Sequence, residues 1–241
     1  MTDVRVFSGT LGLSVASGAT VALDRAVFES LLLGLQVEGN VEMTSSLIAG
    51  TSTGVAVSDS GSLVVDYATI AGNGNAGVIN AGSGAVTIAH SIVWNNATDL
   101  IGIDCADVQS SDVGTPDCSA VNGNVNVDPA LEPDYRLAAG SPVLEFVAPQ
   151  TFDGTPCRDL DGGPRLRDFD GDGLAAADLG AYEAADPAPE PEVANLRWLD
   201  TDTLEWDLAG GATLYHVYRG DVASLADRRR CGRPHHPRSR R

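Results

Sequence analysis

The sequence predicts an all-β protein, a right-handed parallel β-helix (solenoid) with a partial β-sandwich-like segment at its C-terminal end. Three observations lead there. Glycine precedes a short apolar stretch at Gly12, Gly34, Gly54 and Gly77, at steps of 22, 20 and 23 residues. A second apolar pair follows each tight turn, at Val21 and Leu23, Val41 and Met43, Leu63 and Val65, Val86 and Ile88. No helical period competes, and 27 glycines beside few aromatic residues suit many tight turns.

Each element of the repeat has a physical reading. The glycine opens a first strand, as in Gly34-Leu35-Gln36-Val37 and Gly54-Val55-Ala56-Val57. A turn of Gly, Ser, Asp or Asn ends it. In the second strand, residues two apart share a face, so Val41 and Met43 point inward and Glu42 outward. The same alternation places Ala22, Val64 and Thr87 outside. A small residue stands three positions on, at Ala26, Ser46, Ala68 and Ser91, and a large apolar one two further, at Phe28, Ile48, Ile70 and Val93. One coil cannot bury its apolar side alone; stacked coils can, each strand pairing with its equivalent about 4.8 Å away. A β-sandwich would not repeat the small and large positions so regularly. A leucine-rich repeat would carry a helical half.

The coil around Gly84-Ala-Val-Thr-Ile-Ala-His-Ser-Ile-Val-Trp-Asn95-Asn96 resembles those of right-handed parallel β-helix repeat proteins, the pectate-lyase-like superfamily. Farther on, Asn122 to Leu131, Asp134-Tyr-Arg-Leu137, Gly140-Ser-Pro-Val-Leu144, Asp159 to Arg165 and Asp178-Leu-Gly-Ala-Tyr-Glu183 follow one another in an order similar to the C-terminal module of bacterial choice-of-anchor Q proteins. Glu145 stands where that family has Asp. The resemblance covers residues 1–184 and implies an extracellular or cell-surface protein, a non-catalytic scaffold or adhesin that meets polysaccharide or surface proteins. The alternative it implies is a polysaccharide lyase or glycoside hydrolase acting on an acidic polysaccharide along the helix face.

For that alternative, equivalent positions form two outer rows: Asp24, Thr44, Asp66 and Ala89, then Arg25, Ser45, Tyr67 and His90. Asp24 and Asp66, two coils apart, fall near the upper end of the spacing for an inverting carboxylate pair. The competing expectation is that these outward charges keep a solenoid soluble and blunt sideways pairing. No Ser-His-Asp set, phosphate loop or dinucleotide fingerprint is legible, and no catalytic residue is assigned.

Asp168-Phe-Asp170-Gly-Asp172-Gly173 places carboxylates at alternating positions with glycine sixth, as in a calcium loop. Leu174 would supply a backbone carbonyl and Asp178 a late acid, one residue short of the usual closing position. The other reading is a solvated acidic turn. Asp159 and Asp161 are expected to hold Arg165.

Cys105 and Cys118 bracket one polar loop and are candidates for a disulfide, which suits an oxidising compartment; two free thiols are the alternative. Asn96-Ala97-Thr98 fits a glycosylation acceptor. There is no lysine, and residues 1–226 carry a net charge of −24, which repels nucleic acid and anionic membranes. No apolar run is long enough to span a membrane. Met1-Thr2-Asp3 has no leader pattern, and the repeat begins so early that a true N-terminus upstream is expected.

Residues 1–184 are therefore read as solenoid plus acidic cap module, and 185–192 as a Pro-rich linker. Residues 193–226 resemble the first strands of a fibronectin type III domain, with Trp206 as its core tryptophan. Residues 227–241 are an Arg-rich tail of net charge +6, read as disordered or as a reading-frame slip.

Overall fold

The computed structural model describes residues 1–148, 151–152, 154, 156–169 and 174–184, together with the backbone of 197–198 and 204–205. The chain divides into two units, Met1–Ala184 and Ala185–Arg241. In the second, β15 (Arg197–Trp198) and β16 (Leu204–Glu205) pair antiparallel. The linker, the other residues of the fibronectin-like segment, Trp206 included, and the Arg-rich tail lie outside the described residues.

The first unit is a parallel β-solenoid of about five turns. Its strands in chain order are β1 (Arg5–Val15), β2 (Thr20–Asp24), β3 (Val27–Val37), β4 (Asn40–Thr44), β5 (Leu47–Ala49), β6 (Thr53–Val57), β7 (Ser62–Asp66) and β8 (Thr69–Ala71). β9 (Ala76–Asn80), β10 (Val86–Ala89), β11 (Ile92–Trp94), β12 (Leu100–Ile101), β13 (Val108–Gln109) and β14 (Asp112–Val113) complete it.

Three faces run along the stack. One is the sheet β2, β4, β7, β10, β13. The second holds β5, β8, β11 and β14, and the third β6, β9 and β12. The long strand β3 runs unbroken through both of these, pairing with β5 from Val27 to Glu29 and with β6 from Leu33 to Val37. Every pairing in the stack is parallel and follows the repeat: Val21, Val41, Leu63 and Val86 align, as do Phe28, Ile48, Ile70 and Val93. Phe28, Ile48, Ile70 and Val93 are each 0 % exposed, so the core is a set of columns of like residues. Burial of each such side chain contributes about 1.5–3 kcal/mol.

The glycines at the head of the repeat are a steric requirement rather than a turn requirement. A Cβ on Gly12 would lie 2.4 Å from the carbonyl oxygen of Gly34, one on Gly34 2.6 Å from that of Gly54, and one on Gly54 2.4 Å from that of Gly77. None of the four needs a left-handed backbone. Each coil packs its neighbour's backbone where a side chain would otherwise stand.

The corner before the second face does need the left-handed region. Arg25, Ser45, Tyr67, His90 and Ser110 all have φ between 45° and 54°. This kink removes the local N–H from the strand ladder, and serine restores its partner. The Ser46 Oγ accepts from Ala26 N at 2.9 Å, Ser91 Oγ from Ala68 N at 3.0 Å, and Ser111 Oγ from Ser91 N at 3.0 Å. The small position of the repeat is thus a hydrogen-bonding position wherever it is serine.

A buried polar ladder lines the next corner. The Asn73 Oδ1 accepts from Thr51 N at 2.9 Å, and Asn96 Oδ1 accepts from Asn73 N at 2.9 Å. Asp99 accepts from Asn96 N at 3.0 Å and from Thr115 N at 2.8 Å. The side-chain nitrogen of Asn96 donates inward to the Ile70 carbonyl at 3.0 Å. The nitrogen a glycosylation acceptor would present is therefore turned into the stack.

At the far end, Cys105 and Cys118 flank β13 and β14, the strands that end two of the faces. These two cysteines form a disulfide with Cα atoms 5.3 Å apart.

Candidate functional site

The two rows read from the sequence exist in register. Thr44 lies between Asp24 and Asp66 on neighbouring strands, and Ala89 pairs with Asp66. Both carboxylates are engaged. Asp24 Oδ2 accepts from Arg25 Nη1 at 3.0 Å, and Arg25 also clamps Asp3. The Asp66 Oδ1 lies 2.8 Å from His90 Nδ1.

The adjoining row is not an outer face, which corrects the expectation of an open row there. Ser45 and Tyr67 are 0 % and 1 % exposed. The cover is the chain's own C-terminal module, which folds back along the second face. Leu137, Val143, Val147, Ala177 and Leu179 pack with Tyr67 and Ile92. Leu160, Ala181 and Tyr182 pack with Val27, Leu47 and Ala49. The sequence holds a signal for this. β5, β8 and β11 read Leu-Ile-Ala, Thr-Ile-Ala and Ile-Val-Trp, with Thr69 the one polar residue among their outward positions, close to the pattern of a sheet covered on both sides.

Gly180 packs directly on the solenoid backbone. Its N–H donates to the His90 carbonyl at 2.9 Å, and its φ is +88°. A Cβ there would meet Thr69 Oγ1 at 2.6 Å and Ile92 Cδ1 at 2.8 Å. The next N–H, of Ala181, donates to Thr69 Oγ1 at 2.9 Å. Asp178-Leu-Gly-Ala-Tyr-Glu183 is therefore the strip by which the module grips the solenoid.

Arg165 fastens the strip from within. It is 0 % exposed, with its guanidinium 4.5 Å from the Tyr67 ring centroid. Nη1 donates to Glu183 Oε1 and the Gly180 carbonyl, both at 2.9 Å; Nη2 donates to Ser45 Oγ at 2.9 Å and the Ala181 carbonyl at 3.0 Å. His90 stacks on Tyr67 at 4.7 Å, and Phe152 meets it edge-on at 6.1 Å.

The expected partners of Arg165 differ from those observed. Asp161 pairs instead with Arg136, on the exposed rim. Asp159 accepts backbone N–H bonds from Gly163 at 2.7 Å and Glu183 at 3.1 Å. Glu183, three residues beyond Gly180, is the acid that reaches the buried guanidinium. Burial pushes the Glu183 carboxyl up, to about 8, against the pull of Arg165.

Of the proposed calcium-loop residues, Asp170 and Asp172 lie outside the described residues. Leu174 is exposed, and Asp168 is half-buried. Asp178 is buried, its two oxygens accepting from Glu145 N and Ala184 N at 2.7 Å each. Burial raises its carboxyl above the ordinary value, and these N–H donors oppose that rise. Among the described residues, no three His, Cys, Asp or Glu side chains are grouped to hold a metal ion. No helix there is long and apolar enough to cross a membrane.

Comparison with protein-family models, with curated proteins and with solved structures finds no match, so the parallel β-solenoid itself is the relationship the structure supports.

Proposed function

We propose that this chain is a non-catalytic scaffold of the extracellular or cell-surface kind, which displays its outer surface to polysaccharide or to other proteins. The observation that carries this reading is the filled row at Ser45, Tyr67 and His90. A β-helix enzyme working there needs an open groove beside its acids. Here Arg165, Phe152 and Gly180 of the same chain occupy it. Asp66 is tied to His90, which is itself stacked on Tyr67, so the acid and the imidazole are spent on each other.

Two further features support an extracellular setting. The Cys105–Cys118 disulfide belongs with oxidising compartments. The order of motifs from Asn122 to Glu183 resembles the choice-of-anchor Q module, whose members sit at the cell surface, and the coils resemble the pectate-lyase-like superfamily. Within the same proposal, Asp168, Asp170 and Asp172 hold calcium and stiffen the module, and the segment after the linker begins a fibronectin type III-like adhesive domain.

Incubation with neutral and acidic polysaccharides, followed by assay of reducing ends and of unsaturated uronate absorbance, tests the non-catalytic claim. No product is expected, and product release abolished by Asp66→Asn would overturn it. Calorimetric titration of calcium into chelator-stripped protein tests the metal. A saturable heat, lost in the Asp170→Ala/Asp172→Ala double variant, is expected; no heat in the parent reduces the loop to an acidic turn.

A further inference from the structure

Where the module leaves the solenoid, it does not lie flat. The loop carrying Asp128, Glu132 and Pro133 stands away from the corner at Gly72 and Asn95, and encloses a cleft of about 440 Å³. Trp94 lines it from β11 and Tyr135 from the module. Both rings are held by backbone that has no side chain in the way. Tyr135 Oη lies 3.4 Å and 3.6 Å from where a Cβ would stand on Gly72 and Gly50, and the Trp94 ring packs 3.2 Å from the same point on Gly114. The polar groups at the lip are Asn95, Asp128 and Glu132, all exposed. The Asn95 amide and the Glu132 carboxylate make no hydrogen bonds among the described residues, whereas Asp128 accepts from Ala130 N at 2.9 Å.

We infer that this cleft binds a neutral sugar unit of a polysaccharide, a deepening that rests on the scaffold reading above. Its volume falls within the range of small-ligand sites. A pyranose offers an apolar C–H face and a rim of hydroxyls. Two aromatic rings from separate segments match the face. An amide that donates and accepts, with carboxylates that accept paired O–H groups, matches the rim. Charge decides the class of sugar. The loop carries Asp128, Glu132 and Asp134, and Arg136, the cation in the same stretch of chain, is turned to Asp134 and Asp161 and lies over Tyr182. With −24 over residues 1–226, a uronate polymer is repelled from this lip, and an uncharged chain is not.

Affinity electrophoresis in native gels containing glucan, mannan or galactan tests the assignment, with polygalacturonate as the acidic control and poly-lysine as the cationic one. At least one neutral polymer is expected to retard the protein. Asn95→Gly, which keeps the left-handed corner at φ 56°, combined with Glu132→Gln, which keeps the local size, should weaken that retardation about tenfold in apparent Kd while leaving the melting curve unchanged. Trp94→Phe should weaken it by a smaller factor. No retardation by any neutral polymer, retardation indifferent to these variants, or binding of poly-lysine alone would overturn the inference; the last would make the cleft a site for basic peptides. Cleavage of a polymer that is also bound would break the non-catalytic reading but not the cleft.

Discussion

The guanidinium of Arg165 and the carboxylate of Glu183 meet at 2.9 Å inside the protein, with side-chain exposures of 0 % and 1 %. Their contact is where the C-terminal module becomes inseparable from the solenoid, because Arg165 also donates to Ser45, at the corner after β4. Removing one partner of such a buried pair leaves the other's polar group buried and unpaired, at a cost of about 3–5 kcal/mol. Glu183→Ala and Arg165→Ala are each expected to destabilise within that range in denaturant unfolding. Arg165→Met/Glu183→Leu, which strands no charge, should recover much of the loss. Equal loss in all three variants would show that the packing over Tyr67 matters and the charge pair does not.

Two glycines that look alike in the sequence should respond differently to alanine. At Gly54 the added methyl meets a backbone oxygen of the next coil at 2.4 Å; at Gly18 nothing lies within 4 Å, though φ is +80°. Gly54→Ala is expected to cost about 3 kcal/mol or more, since neither strand can yield without breaking its pairing. Gly18→Ala should cost about 1–2 kcal/mol, the strain of a left-handed L-residue. Thermal melts of both variants check the order; a reversed order would refute the stack.

The polar ladder should behave as a unit. Asn73 accepts from Thr51 and donates to Asn96, with 1 % exposure. Asn73→Leu leaves the Thr51 N–H and hydroxyl without their acceptor in a dry corner, and takes from Asn96 Oδ1 one of its two Asn73 donors. A loss of about 2–3 kcal/mol is expected. Hydrogen exchange should show the Thr51 amide losing protection before those of β7, which lies on another face.

Asp112 links stability to pH. It is 0 % exposed; one oxygen accepts from Val127 N at 3.2 Å, and the other has no hydrogen-bond partner among the described residues. Burial, reinforced by the charges of Asp128 and Asp99, pushes its carboxyl up to about 7 from the usual 3.8, against the Val127 donor. Between these values the folded state binds a proton that the unfolded state has lost. Asp112 therefore makes stability fall as pH rises from about 4 to about 7, with no further change above. Asp112→Asn should flatten that portion of the stability profile relative to the parent. An unchanged slope would mean that this carboxyl is ionised in the fold.

The coils were readable because a solenoid repeats its physics at short range. Gly34, Val41, Met43, Ser46 and Ile48 recur in kind every turn, so the register follows from spacing. The polar ladder was harder. Asn73 and Asn96 look like ordinary turn residues, and only the stacking of one corner on the next turns Asn73 Oδ1 toward Thr51. The partner of Arg165 is not legible in the sequence for a related reason. Asp159 and Asp161 are its neighbours in sequence, but the Cys157-to-Arg165 turn points the guanidinium at the solenoid, where Glu183 waits on a different strip.

By itself the sequence determined the parallel stack, its steps of 20 to 23 residues and the inward columns of Phe28, Ile48, Ile70 and Val93, since these rest on alternation and on interactions between consecutive coils. Only the tertiary structure decided that Ser45 and Tyr67 are interior and that His90 beside them is half-buried. That outcome depends on where residues beyond Asp128 come to rest, and the contact of Gly180 with His90 spans ninety positions. Local periodicity reports which side of a strand is apolar; it does not report what the rest of the chain places upon it.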